Sequence, residues 1–280
     1  MDASFKFSQH SLNDYVACPR RFYLHYVAKL AWPVVEPNPI GLQPLDYQRY
    51  LWRGTELHRW IERYWLGIPT PPDSAPDEEM RLWWDHFLHL EFNNLPAQRI
   101  PELGLVAPVG DHLLYARFDL LACDASTQAS RAVIVDWKTL RTSNHLSAHW
   151  FARRIQTRVY LYVLATAGAP YNGGQPFAPE QCSMRYWLAN YPDQPWVDIP
   201  YSTADYERDR TWLLGLLERA SSGQTEEDYA RGSEQRQCMR CTYQTLCNRS
   251  GGIACSTGPD AFEDEYFDVD SAAEAASIDY

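Results

Sequence analysis

The hydrophobic pattern of this chain changes period several times, and each change predicts an element. Val133, Ile134 and Val135 form a continuous β-branched run that ends on Asp136, Trp137 and Lys138. Such a run reads as a buried strand. His112 to Ala122 (HLLYARFDLLA) reads as a second strand, with Asp119 set between apolar residues. Arg99–Val106 precedes it, and Cys182–Ala189 and Trp196–Ile199 extend the sheet. Elsewhere the apolar residues recur at three and four. Tyr47–Leu66 carries Leu51, Leu57, Ile61 and Trp65 on one side, and Asp77–Leu95 carries Trp83, Trp84, Phe87 and Leu88. Ser147–Gly168 and Thr203–Ala220 complete the predicted long helices. Ser8 and Ser11 are cap residues for a helix that Cys18-Pro19 breaks, and Arg20 starts another. The prolines of residues 31–45 and of 67–76 mark loops. Strands interleaved with helices predict an α/β class, α+β mixed, with a central mixed sheet flanked by helices.

Composition narrows the class. The chain has 280 residues and 45% apolar content, enough for one elaborated core. It shows no apolar run of membrane-spanning length, so no membrane partner is expected. MDASFKFSQH lacks a basic and then apolar leader, which predicts a cytoplasmic protein. The net charge of −11 is awkward for a nucleic-acid binder. Eight of those charges fall after Gly251, where Lys and Arg are absent, which leaves −3 for the rest.

The chemistry concentrates in two places. Side chains alternate along a strand, so Asp136 and Lys138 project to one side and Trp137 to the other. A strand bearing Asp119, a turn, and a strand ending in D-x-K would bring two carboxylates and a lysine together. Two carboxylates can hold a hard divalent cation. A lysine beside it can orient a water or stabilise charge on a phosphate. Cys238, Cys241 and Cys247 form C-x-x-C-x5-C and need a fourth ligand. Cys18 is the candidate, and thiolates in this number suit zinc or an iron–sulfur cluster. Cys123, Cys182 and Cys255 read as ordinary thiols. The chain has no G-x-x-x-x-G-K-[ST], hence no P-loop motor of its own.

Four motifs in order, GTELH (Gly54–His58), RFDLL (Arg117–Leu121), DWKT (Asp136–Thr139) and QTRVY (Gln156–Tyr160), resemble the PD-(D/E)XK nuclease superfamily in its RecB-like branch. Cys18 and the three late cysteines resemble the iron–sulfur members, such as the AddB nuclease domain and the CRISPR-associated exonucleases. The resemblance implies a restriction-endonuclease-like sheet and a deoxyribonuclease. Mg²⁺ or Mn²⁺ would be held by His58, Asp119, Asp136 and the backbone carbonyl of Trp137, with Glu62 free to orient the imidazole. Lys138 would act on the attacking water. Gln156 and Tyr160 would orient the substrate strand, and Glu102 stands where a glutamate can approach the metal. The resemblance departs at Ala116-Arg117, where many relatives carry a glycine. It further implies a 4Fe–4S cluster on Cys18, Cys238, Cys241 and Cys247. Arg153, Arg154, Arg158 and Arg240 are the expected DNA contacts, with Arg236 and Arg249 beside the cluster. The His58 pattern resembles exonucleases acting on single-stranded or frayed ends, served by a separate helicase or by CRISPR adaptation proteins.

The expected organisation is an N-terminal helical segment (1–45), a nuclease core (46–220), a cluster segment (221–250) and an acidic tail (251–280). The alternative is a catalytically silent iron–sulfur DNA-binding subunit of a nuclease–helicase complex.

Overall fold

Two consecutive hairpins make the middle of the sheet. β2 (Gln98–Val109) and β3 (His112–Asp124) pair antiparallel from Val109↔His112 to Gln98↔Cys123. Gly110 turns the chain at φ 57°, and a Cβ there would stand 2.6 Å from Leu214. Glycine therefore serves both the turn and the packing. β4 (Arg131–Lys138) returns antiparallel along the end of β3, from Asp124↔Arg131 to Leu120↔Val135. β1 (Lys6–Ser8) pairs parallel with the start of β3. β5 (Cys182–Leu188) runs parallel to β4, and β6 (Trp196–Pro200) closes the far edge antiparallel. The computed structural model describes residues 4–30, 45–69, 78–92, 94–124, 130–140 and 147–232, with 238, 241, 243 and 245–247 after them.

A helical layer covers each face. On one side lie α1 (Gln9–Ala17), α2 (Pro19–Phe22), α5 (Ala148–Arg153), α6 (Ile155–Ala167) and α7 (Thr203–Ser222). Leu12, Phe22, Phe151, Val159 and Leu213 from these helices join Leu114, Phe118, Ile134 and Met184 of the strands in one core. On the other side α3 (Leu45–Trp65) and α4 (Glu78–Leu88) bring Leu57, Trp60, Ile61, Trp83, Trp84 and Phe87 against Val133, Val135, Trp137 and Trp187. Fully burying a large apolar side chain contributes about 1.5–3 kcal/mol, so each of these aromatics adds to the layer's stability. β4 is buried from Ala132 to Lys138, which explains its unbroken apolar run.

Three expectations need correction. The helix expected over Ser147–Gly168 is two, because Arg154 adopts an extended backbone at φ −63° and ψ 140°. Thr157 Oγ1 meets the carbonyl of Phe151 at 2.6 Å across the break, which supplies a partner at the end of α5. Asp77–Leu95 is helical only to Leu88, and Phe92 then turns back against Trp65 and Trp196. The strand expected at Arg99–Val106 runs from Gln98 to Val109 and includes Pro101 and Pro108. Among the described residues β2 pairs only with β3, and an edge strand tolerates prolines that donate nothing. Among the described residues no helix is long and apolar enough to cross a membrane.

Candidate active site

The alternation on β3 changes phase at Asp119. Leu114, Ala116 and Phe118 face the first core, and beyond Asp119 the residues facing it are Leu121 and Cys123. Leu120 and Ala122 face the second core. β2 changes phase opposite, where Glu102 takes a left-handed backbone at φ 51°. Pro101 pairs with Leu120 and Leu103 with Phe118, so Glu102 stands across from Asp119. The kink turns Asp119 out of the regular pleat and onto β4. Its Oδ2 accepts the backbone N–H of Trp137 at 3.0 Å.

β4 supplies the next groups. Trp137 enters the aromatic core, and Asp136 and Lys138 lie on the face covered by α6. Lys138 Nζ stands 3.2 Å from Asp136 Oδ2, and both residues are buried, at 5% and 1% exposure. Removing one partner of a buried pair strands the other charge, at a cost of about 3–5 kcal/mol. Gln156 donates from Nε2 to Asp136 Oδ1 at 2.7 Å. The ammonium of Lys138 also sits 6.0 Å from the centre of the Tyr186 ring.

His58 arrives from the opposite layer. Gly54, one turn earlier on α3, is closely packed: a Cβ would stand 3.2 Å from Thr139 Oγ1. That close approach seats the helix on the end of β4. His58 Nε2 is 2.8 Å from the Trp137 carbonyl oxygen, and Nδ1 is 3.3 Å from Asp119 Oδ2. The ring is thus oriented by Asp119 and Trp137, not by Glu62. Burial works to lower the His58 pKa, but the Asp119 carboxylate outweighs it and carries the value up to about 9. Burial likewise works to raise Asp119, and His58, the Trp137 N–H and Lys138 hold it below the ordinary carboxylate range.

The remaining expected residues fall in different places. Tyr160 is buried with its ring edge-on to Phe118 at 5.2 Å. Gln156 faces the Asp136 carboxylate and is itself buried. Arg153 bonds His149, and Arg154 lies over Trp150 at 4.8 Å. Arg158 is 8% exposed, its Nε donates to Asp209 at 2.7 Å and its guanidinium lies over Trp212 at 3.8 Å. The sequence pattern offered no sign of this, since Asp209 is 51 positions away. Arg236, Arg240 and Arg249 lie outside the described residues, as does the acidic tail. Pattern reading also passed over Asn190, which accepts from Trp83 at 2.7 Å and donates to the carbonyl of Leu140 at 2.8 Å. It pins the chain where it leaves the motif strand.

A second polar centre joins the chain ends. Cys18, Cys238, Cys241 and Cys247 line one cavity with Arg21, Arg231 and Gly232. The Gly232 N–H donates to Cys18 Sγ at 3.2 Å, and a Cβ on Gly232 would meet the Ala17 carbonyl at 3.0 Å. Arg20 donates from its backbone to Ala230 and from its side chain to the Glu226 carbonyl, and pairs with the Glu226 carboxylate.

The donor sets fit different ions. Carboxylate and carbonyl oxygens with one imidazole suit Mg²⁺ or Mn²⁺, and four thiols suit a soft centre. Among the described residues no three His, Cys, Asp or Glu side chains are drawn together tightly enough to hold a metal as they stand. The donors are gathered but not closed.

No curated protein matches the chain. Among solved structures it is similar to SSO0001, at 16% identity over 90% of this chain and 89% of that one, with a TM-score of 0.39. A family model matches residues 6–248, which span all the strands and both polar centres, and by that match the chain belongs to the PD-(D/E)XK nuclease superfamily.

Proposed function

We propose that this protein is a metal-dependent deoxyribonuclease of the RecB-like branch that degrades DNA from single-stranded or frayed ends. The observation that carries the reading is the convergence on one peptide unit. The Trp137 N–H meets Asp119, its carbonyl meets His58, and its neighbours Asp136 and Lys138 form a buried pair. Groups of opposite charge drawn this close, at the junction of two helical layers, are what phosphodiester hydrolysis requires.

His58, Asp119, Asp136 and the Trp137 carbonyl would hold Mg²⁺ or Mn²⁺. When bound, such a cation polarises the scissile phosphate and lowers the pKa of an attacking water. Lys138 donates to that water or to the charge that builds on the phosphate. Gln156 holds the Asp136 carboxylate in the orientation that presents it. Arg153 and Arg154, at the break between α5 and α6, contact the substrate backbone.

The proposal extends to a 4Fe–4S cluster on Cys18, Cys238, Cys241 and Cys247. The shared cavity and the Gly232 contact to Cys18 support it. Its role is structural, a staple between ends 220 residues apart. Duplex ends would be opened by a separate helicase or presented by CRISPR adaptation proteins.

The test is digestion of end-labelled linear and circular single-stranded DNA by anaerobically purified protein in Mn²⁺, Mg²⁺ or EDTA. Loss of linear DNA in metal and not in EDTA is expected, with the circle spared. Intact DNA in both metals, with binding retained, would move the reading to a silent DNA-binding subunit.

A further inference from the structure

We propose that Arg117 is a phosphate-binding residue at the rim of the candidate active site, kept in place by Glu102 until DNA arrives. The inference rests on the nuclease reading above. Arg117 precedes Asp119 by two residues on β3, and Glu102, which stands across from Asp119, bridges to Arg117 and lies close enough to Asp119 to interact with it. Ala116 and Phe118 on either side are buried, yet the Arg117 side chain is 65% exposed. An exposed cation therefore stands one step along the strand from a carboxylate at the centre of the site.

Glu102 explains why it stands there. Its Oε2 lies 3.1 Å from Arg117 Nε. It sits across from Asp119 at the interruption of the β2–β3 ladder, in a left-handed backbone. Only one other non-glycine residue, Lys29, has a positive φ among the described residues. A conformation so unfavourable for a residue with a Cβ persists only where its surroundings impose it, and such positions gather at functional sites. An exposed Arg–Glu pair contributes little to stability by itself. What the kink achieves is placement: it sets a carboxylate beside Arg117 and near Asp119 and Glu62.

The rim would otherwise repel DNA. Glu62, Glu102 and Asp119 crowd the approach with negative charge. Arg117 is an exposed cation on that approach, and its guanidinium matches phosphate as well as carboxylate. A DNA strand whose scissile phosphate lies at Asp119 and Asp136 brings an adjacent phosphate within reach of Arg117. The guanidinium then exchanges Glu102 for that phosphate, and a protein–protein ion pair becomes a protein–DNA one.

The experiment is binding of a fluorescein-labelled single-stranded oligonucleotide in EDTA, over roughly 50 to 200 mM salt, by the wild type, Arg117→Gln, Arg117→Lys and Glu102→Gln. Arg117→Gln is expected to bind more weakly, with the slope of log K against log salt shallower by about 0.7, the share of one phosphate contact on a single strand. Arg117→Lys should recover the slope but not the full affinity. Glu102→Gln should bind more tightly, because the competitor for Arg117 is gone. An Arg117→Gln protein that folds normally by circular dichroism and keeps the wild-type affinity and slope would overturn the inference alone. Wild-type protein that neither binds nor cuts DNA in any metal would overturn the nuclease reading, and this inference with it.

Discussion

Around Asp136 the partners are near in sequence except His58, which reaches Trp137 across 79 positions. Asp119 and Trp137 sit on paired strands 18 positions apart, and Gln156 comes from the helix that follows, 20 positions on. Around Cys18 the partners come from the other end of the chain. Arg20 reaches Glu226, Gly232 reaches Cys18, and Tyr243 reaches the carbonyl of Leu30, each across more than 200 positions. The first centre is anchored on strands whose cores are already buried. The second is a meeting of two ends whose sulfurs surround a cavity. Closing so long a loop has an entropic cost that neighbouring contacts must offset. The cluster proposed above would add a tie between the two ends. The difference teaches that the first centre rests on strand pairing and the second on contacts between distant ends of the chain.

This contrast can be broken. Lys138→Ala should lower metal-dependent DNA cleavage by roughly 100- to 1,000-fold, the loss typical of a charge-stabilising donor. Cleavage of labelled DNA measures it, with thermal unfolding run in parallel to register the stranded Asp136 charge. Activity within a few fold of wild type would remove Lys138 from the chemistry.

Cys18→Ser tests the other region. Absorbance near ~400 nm, the mark of iron–sulfur ligation, should fall with the iron content. A cross-link over 220 residues is worth on the order of 5 kcal/mol in chain entropy. Its loss should lower Tm by roughly 10 to 20 °C for a chain of this size. A colourless wild-type protein containing zinc would replace the cluster with a zinc staple, and unchanged Tm would deny any staple at all.

The smallest expected effect is a pH dependence of the metal-free protein. Against the opposing pull of burial, the Asp119 carboxylate raises the His58 pKa from 6.5 to about 9. A histidine held above its unfolded value stabilises the fold fully below pH 6.5, and the contribution is lost as pH rises through about 9. In EDTA the urea midpoint should fall across that window, and His58→Ala should flatten the trend. Saturating Mg²⁺ should flatten it too, because the cation takes the place of the proton beside Asp119. A midpoint in EDTA independent of pH would show that His58 and Asp119 do not pair in the free protein.

Much of the fold was legible in the chain because its signals are short-range. The VIV run of β4, the capping-box serines at the start of α1 and the apolar stripe of α3 each act within a few residues. So does the alternation that sends Asp136 and Lys138 to one side and Trp137 to the other. The break at Arg154 was not legible, because no residue there signals an extended backbone, and the burial of Arg158 was not, because its partner lies far along the chain. Arg158 reads as a solvated arginine until Asp209 and Trp212 of α7 are folded over it. Glu102 reads as a strand residue until the ladder opposite Asp119 forces it left-handed.

The sequence by itself determined the period of each element, the mixed α/β class and the side chains able to do chemistry. Those properties follow from backbone geometry and from what each residue can donate, accept or ligate. Only the tertiary structure decided which of them meet. His58 reaches the Trp137 carbonyl because Gly54 lets α3 rest on Thr139, and Gln156 reaches Asp136 because α6 crosses the sheet on that face. Such meetings depend on packing between layers, where a single Cβ of clearance determines whether two groups come within hydrogen-bond distance.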